Sequence, residues 1–205
     1  MAVTSKVELC NLALSFLGNY GTVTDIDTPS DPKELVFAQW YDICRQTLIK
    51  EMVPNFALAR VIVAKLVETP VFGYAYFYEY PNTCLKVLGI DNVNWSRNDY
   101  DVTEGKISTD VDFPEGLPLR FVKDIEDVNS MSPEFKILFA RYLSAHVALP
   151  ITQDVAKANS IWASLPAALS SASAQNAQEN KPIRISRSKF KEARYVPYPG
   201  WMDKK

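Results

Sequence analysis

The sequence predicts an α+β fold: a four-helix bundle with a small antiparallel β-sheet insertion and an extended carboxy-terminal arm. Three observations carry this. Helix-start signals at Ser5-Lys6-Val7-Glu8 and Asp31-Pro32-Lys33-Glu34 precede stretches with apolar residues at helical spacing. β-branched and aromatic residues then fill a middle third bounded by turn residues. Helical spacing returns at Ser132-Pro133-Glu134 and stops after Glu179. The predicted division is residues 1–55 and 131–178 for the bundle, 56–130 for the inserted sheet with its distal loops, and 179–205 for the arm.

In the first helix Val7, Cys10, Leu14 and Leu17 recur at helical period, and Gly18 supplies the stop. Residues 19–30 are rich in turn formers. Asp31 then caps a second helix, with proline at its first position and an acid at its third. Leu35, Ala38, Tyr41, Leu48 and Met52 are its expected apolar face, and Pro54 its end.

From Phe56 the character changes. Arg60 to Val67 is β-branched, Val71 to Tyr80 is dense in aromatics, Leu85 to Ile90 reads as a buried strand, and Leu119 to Val122 as another. Residues 91–117 read as hairpins and exposed loop. Ser132 starts a third helix carrying Phe135, Leu138, Phe139, Tyr142, Leu143 and His146. Pro150 is expected to end it, Thr152 to cap a fourth helix, and Pro166 to kink or break that one. Pro182, Pro197, Pro199 and Gly200 mark the last segment as an arm rather than a fifth helix. The two helical pairs flanking the insertion are expected to pack together, with the sheet protruding from one end.

Composition narrows the function classes. With 205 residues, 47% apolar and 12% aromatic, the chain can bury a core and is not a disordered protein. No apolar run approaches the roughly 20 residues of a membrane-spanning helix. Met1 to Lys6 lacks the pattern of a signal peptide, so the chain is expected to be cytosolic when made. Cys10, Cys44 and Cys84 sit far apart among apolar neighbours and are expected to be buried thiols. The net charge of −2 is unevenly spread: residues 1–180 hold 14 Lys and Arg against 22 Asp and Glu, whereas residues 181–205 hold 8 against 2. An acidic body with a basic tail points to an acidic partner for the tail.

No residue set predicts catalysis, a cofactor or a metal. His146 is the only histidine; Ser144 points to a different helix face, so the histidine is expected to be packed. Asp110, Asp112, Glu115, Asp124, Glu126 and Asp127 could nominally supply an acid/nucleophile pair. They are expected to be solvated, with nothing to separate their pKa values. Tyr74, Tyr76, Tyr78 and Tyr80 alternate and should share one strand face, packed on a helix or a neighbouring subunit. A base-stacking platform would want interleaved Arg or Lys, and none occurs between Val71 and Leu85. The arm is the sharpest candidate. Arg184, Arg187, Phe190, Arg194, Tyr195, Tyr198 and Trp201 combine guanidinium groups and aromatics, the residue types of protein–protein hot spots.

Taken in order, these motifs resemble the head-to-tail adaptor (tail tubular protein A-like) family of short-tailed bacteriophages. Asn11-Leu12-Ala13-Leu14 with Leu17-Gly18 is similar to that family's first helix, and Tyr41, Arg45 and Leu48 to its second. Asn55-Phe56-Ala57 with Arg60 resembles its helix-to-sheet turn, and Tyr76 to Val87 its aromatic strand and the run after it. Gly105, Ile107, Thr109 and Asp110, then Leu119 to Val122, then Ser132 to Thr152, complete a resemblance over roughly residues 5–160. Pro54, Tyr80 and Thr83 depart from the family's usual tryptophan, leucine and aspartate.

The resemblance implies a virion structural protein at the head–tail junction, assembled from the host cytoplasm. It implies a homo-oligomeric ring of about twelve subunits, bound to the portal protein above and the tail nozzle protein below. The arm would climb onto the portal. The sheet loops would face the nozzle, with Trp95, Arg97, Tyr100, Asp112 and Phe113 as candidates. Genomic DNA would pass through the lumen without specific binding, which the acidic body suits. Two rivals remain: a tail-associated peptidoglycan hydrolase using carboxylates of residues 110–127, and a DNA-binding packaging factor using the basic arm.

Overall fold

The computed structural model describes residues 3–18, 21–90 and 100–179. Among the described residues, four helices and two small three-stranded antiparallel sheets make a mixed α and β architecture. The first helix, α1 (Lys6–Phe16), begins where Ser5 Oγ accepts from the Glu8 N–H and the Glu8 carboxylate accepts from the Ser5 N–H. Gly18, at φ 84°, closes it in the left-handed region that glycine occupies without steric cost.

The second helix, α2 (Pro32–Met52), opens on the same reciprocal cap with Asp31 and Glu34. Glu34 is also a tie-point for the preceding loop. Its two oxygens accept from Thr24, Asp25, Ser30 and Asp31 backbone N–H groups and from the Thr24 and Ser30 hydroxyls. Those donors, Ser30 and Thr24 N–H foremost, hold its carboxyl well below the usual carboxylate range. The buried face of α2 holds Tyr41 and Leu48 as expected, but not Leu35. Phe37, Tyr41, Cys44 and Leu48 are buried, whereas Leu35 is 49% exposed. Spacings of four, three and four make this the more continuous stripe, and burial follows it.

The last two helices also depart from expectation. α3 (Pro133–Thr152), capped by Ser132, runs through Pro150 instead of stopping there. A proline so close to a carboxyl end removes one helical donor and leaves the rest of the turn intact. Thr152 donates its hydroxyl to Ala148 O, and Asp154 caps α4 (Val155–Gln178) in its place, accepting from Lys157 N. Pro166 does not break α4. Its side chain lies on the exposed side of the helix.

α3 packs against each of the other three helices. Leu9, Leu14, Phe37, Leu48, Phe135 and Leu143 lie in the shared core, and the Tyr41 and Phe139 rings meet edge to face at 5.2 Å. No helix among the described residues is long and apolar enough to cross a membrane.

Between α2 and α3 lie β1 (Leu58–Val63), β2 (Tyr76–Glu79), β3 (Cys84–Ile90), β4 (Tyr100–Thr103), β5 (Lys106–Thr109) and β6 (Leu117–Lys123). Two sheets form where one was expected, in the orders β1-β6-β3 and β2-β5-β4. β1 pairs along its whole length with the distant β6, from Leu58↔Val122 to Val63↔Leu117. Only the residues after it, through the Lys65↔Tyr78 bridge and the Leu66 N–H to Phe77 O bond, reach β2. The sheets share a second small core of Val63, Tyr78, Ile90, Ile107, Leu117 and Phe121. β4 and β5 are joined at Glu104-Gly105, φ 54° and 69°, the double left-handed turn that suits a twisted hairpin.

Two polar clamps bind the sheets to the helices. Arg45 on α2 is 2% exposed; its Nη1 donates to Asp124 and, at 2.8 Å, to Ile125 O, just beyond β6. Its Nε and Nη2 reach Asp42 Oδ1 at 3.1 Å, and Gln46 also donates to Asp124 at 2.9 Å. Asp124 is thus a structural partner, not the solvated acid expected from sequence. The second clamp is reciprocal. Asn55 N donates to Asn176 Oδ1 and Asn55 Nδ2 to Asn176 O, both at 2.9 Å, and Asn176 Nδ2 reaches back to Val53 O.

Removing one partner of a buried ion pair leaves the other charge without compensation. Asp124→Ala should therefore lower unfolding stability by about 3 kcal/mol, the lower end for such losses because Asp42 still holds Arg45. Urea denaturation measures it, and a loss under about 1 kcal/mol would assign Arg45 mainly to Asp42.

Candidate functional site

The arm residues Arg184, Arg187, Phe190, Arg194, Tyr195, Tyr198 and Trp201 lie outside the described residues, as do Trp95 and Arg97. Of the expected nozzle-facing set, Tyr100, Asp112 and Phe113 are described. Tyr100 sits on edge strand β4, opposite Thr109. Asp112 pairs with Lys65 at 2.7 Å. Phe113 packs edge to face on Tyr78, with ring centroids 6.1 Å apart, and its N–H donates to the Tyr78 hydroxyl. Phe113 is partly buried against the shared core of the sheets.

The tyrosine run also divides. Only Tyr76 and Tyr78 lie in β2; Tyr74 precedes the strand and Tyr80 follows it. Tyr78 is buried and donates to Val111 O at 3.2 Å. Lys65 Nζ sits 3.9 Å from the Tyr76 ring centroid, a cation–π contact. Tyr80 donates to Cys84 O, and burial pushes its phenol pKa up. These rings pack within the two sheets, not on a helix.

Because β2 begins at Tyr76, the residues before it are loop. Val67, Val71 and Phe72 are 102%, 96% and 89% exposed. This apolar tip is absent from the sequence-based candidates, which merged it with the aromatic strand. The signal that could have separated it is Pro70 and Gly73 bracketing Val71-Phe72, with Gly73 at φ 90°.

The nominal carboxylate set serves structure where partners are seen. Asp110 accepts from Ala75 N, Asp112 pairs with Lys65, Asp124 with Arg45, and Asp127 accepts from Asn129 N and Ser130 Oγ. Ser144 donates to Arg141 O, away from His146. Among the described residues no group of three or more His, Cys, Asp or Glu could hold a metal ion. The three cysteines are free and buried, and burial pushes the Cys10 and Cys44 thiols up to about 12.

His146 lies at the meeting of three helices. It stacks on Trp40 of α2 at 4.9 Å and 26°, and meets Tyr142 of α3 and Trp162 of α4 edge-on at 4.8 and 4.9 Å. Farther along, a groove of about 530 Å³ opens between α3 and α4, lined by Glu134, Ile137, Arg141, Ala168 and Ala172. The Arg141 guanidinium caps the Phe16 ring there at 5.1 Å.

Neither a protein-family model nor a curated protein matches the chain.

Burial among aromatic rings lowers the His146 pKa, because it penalises the imidazolium. The unfolded chain binds that proton at about pH 6.5, above the folded value. Stability from the neutral ring is therefore complete above about pH 6.5 and declines as pH falls through the folded pKa. The melting temperature should drop between pH 7.5 and 5, and His146→Phe should flatten that drop. An unchanged slope in the variant would assign the dependence to carboxylates.

Proposed function

We propose that this chain is a head-to-tail adaptor of a short-tailed bacteriophage, a ring-forming structural protein between the portal and the tail nozzle that catalyses no reaction. The observation that carries the reading is the serial order of its elements: two helices, two sheets, two helices. Within that order, motif residues Tyr41, Arg45 and Leu48 lie on the buried side of α2. Asn55-Phe56-Ala57 is the single 3₁₀ turn leading into β1.

In this reading residues 1–55 and 131–178 pack as a four-helix bundle around the ring, and residues 56–130 project toward the tail. Residues 179–205 reach the portal. The negative balance of residues 1–180 suits a conduit that DNA crosses without sticking. The structural engagement of Asp110, Asp112, Asp124 and Asp127 favours this reading over a carboxylate hydrolase.

Electron microscopy of the protein mixed with its portal should reveal a ring seated on the portal. Deleting residues 181–205 should abolish stable attachment and leave heads that leak DNA. Truncation after Glu179 should leave the melting temperature nearly unchanged; a fall of more than about 10 °C would mean the arm belongs to its own body. Complete, DNA-retaining heads built with the deletion variant would overturn the role of the arm.

A further inference from the structure

The groove between α3 and α4 has apolar walls that its own helices leave unfilled. Ile137 on α3 is 50% exposed, and Ala167 and Ala168 on α4 are too short to close the gap of about 530 Å³. A narrower cleft continues this groove toward the end of α4. Glu134, Ala172 and Gln175 line both, and Glu179 lines the narrower one. The chain therefore leaves α4 at the mouth of an apolar channel.

The sequence that leaves there fits the channel. Asn180 and Pro182 are turn formers, and the proline biases Lys181 away from helical backbone. Ile183-Arg184-Ile185 then alternates, so an extended backbone puts both isoleucines on one face and Arg184 on the other. Neither isoleucine belongs to the guanidinium and aromatic set expected on a portal. From Gln175 back to Ser164 the groove runs about 16 Å at helical rise, which about five extended residues cover. Ile183 to Arg187 has that length. Charge agrees. Glu134 stands at the entrance and meets a segment carrying Lys181, Arg184 and Arg187, whereas Arg141 lies at the far end, drawn over the Phe16 ring.

We infer that residues 183–187 dock back into the α3/α4 groove of their own chain, with Ile183 and Ile185 as the anchors and Arg184 turned toward water. The tether favours the chain's own segment over a second copy's. A linker of only a few residues holds the segment at about millimolar local concentration, so a contact with a Kd of about 0.1 mM is filled about nine-tenths of the time. Docking this weak moves the melting temperature by only a few degrees. It leaves residues 188–205 to reach a partner, and it holds whether or not the chain is an adaptor.

Trypsin reads the contact in the full-length protein. A docked bond is cut only from its undocked fraction, so cleavage after Arg187 should be about tenfold slower in wild type than in Ser171→Trp, whose indole takes the groove. Ser171 is exposed, so this variant should melt with wild type. Ile183→Ser/Ile185→Ser should lose the protection as fully, and Ile183→Val/Ile185→Val should keep most of it. Cleavage after Arg194, beyond the docked residues, should proceed alike in all four proteins. Equal cleavage after Arg187 in wild type and either disruptive variant would overturn the docking. Protection that survives hundredfold dilution supports the chain's own segment; protection lost on dilution would overturn that assignment and give the groove to a second copy.

Discussion

The buried guanidinium of Arg45 is the constraint on which the rest of the structure depends. Burial opposes its charge, but two carboxylates and a carbonyl outweigh that, so it stays protonated and must keep its acceptors. One acceptor, Asp42, comes from the same helix. Asp124 and Ile125 return only after the chain has passed through six strands. Asp124 N also donates to Thr83 O, so the residue that satisfies Arg45 fixes the approach to β3. A side chain of the helices therefore takes its acceptors from beyond the sheets, and α2 links the two parts energetically. Glu34 plays a more local version of the same part, collecting six donors so that the loop before α2 has one position.

Local rules were legible in the sequence wherever local chemistry decides. The caps at Ser5, Asp31 and Ser132 each accept the helix N–H groups that their spacing implies. Pro150 was read too strongly as a stop, and the break allowed for at Pro166 is absent. Pro150 and Pro166 each remove one donor, but their positions in the last turn and on an exposed face make that loss tolerable. On α2 Leu35 was misplaced, because Leu35 and Phe37 are both apolar and only the partner helix distinguishes which one is buried. The number of sheets was not legible at all. It depends on β1 choosing β6 over β2, a pairing across more than fifty residues that no short window contains.

Site residues were legible in type more than in place. Asp124 is a carboxylate in loop-like sequence, and nothing nearby in the chain announces that a buried arginine needs it. Phe113 has loop neighbours yet turns inward because Tyr78 offers it a ring and a hydroxyl. His146 was expected on a packed face, but its three aromatic neighbours come from three helices and could not be assigned from one. The apolar tip at Val71-Phe72 was hidden by its continuity with the aromatic strand. Its exposure is a consequence of where pairing begins, and hydropathy alone does not record that.

The reciprocal amide clamp between Asn55 and Asn176 has a mechanical consequence. It fastens the last turn of α4 to the bend that separates helices from sheets, with Glu179 adding a further bond to Asn55 Nδ2 at 3.1 Å. Tension applied to the chain beyond residue 179 is then borne first by several hydrogen bonds loaded together, instead of peeling α4 away one turn at a time. The load passes into the backbone at Val53 to Asn55 and is divided there between α2 and β1. A tether attached at this point loads α2 and β1 together.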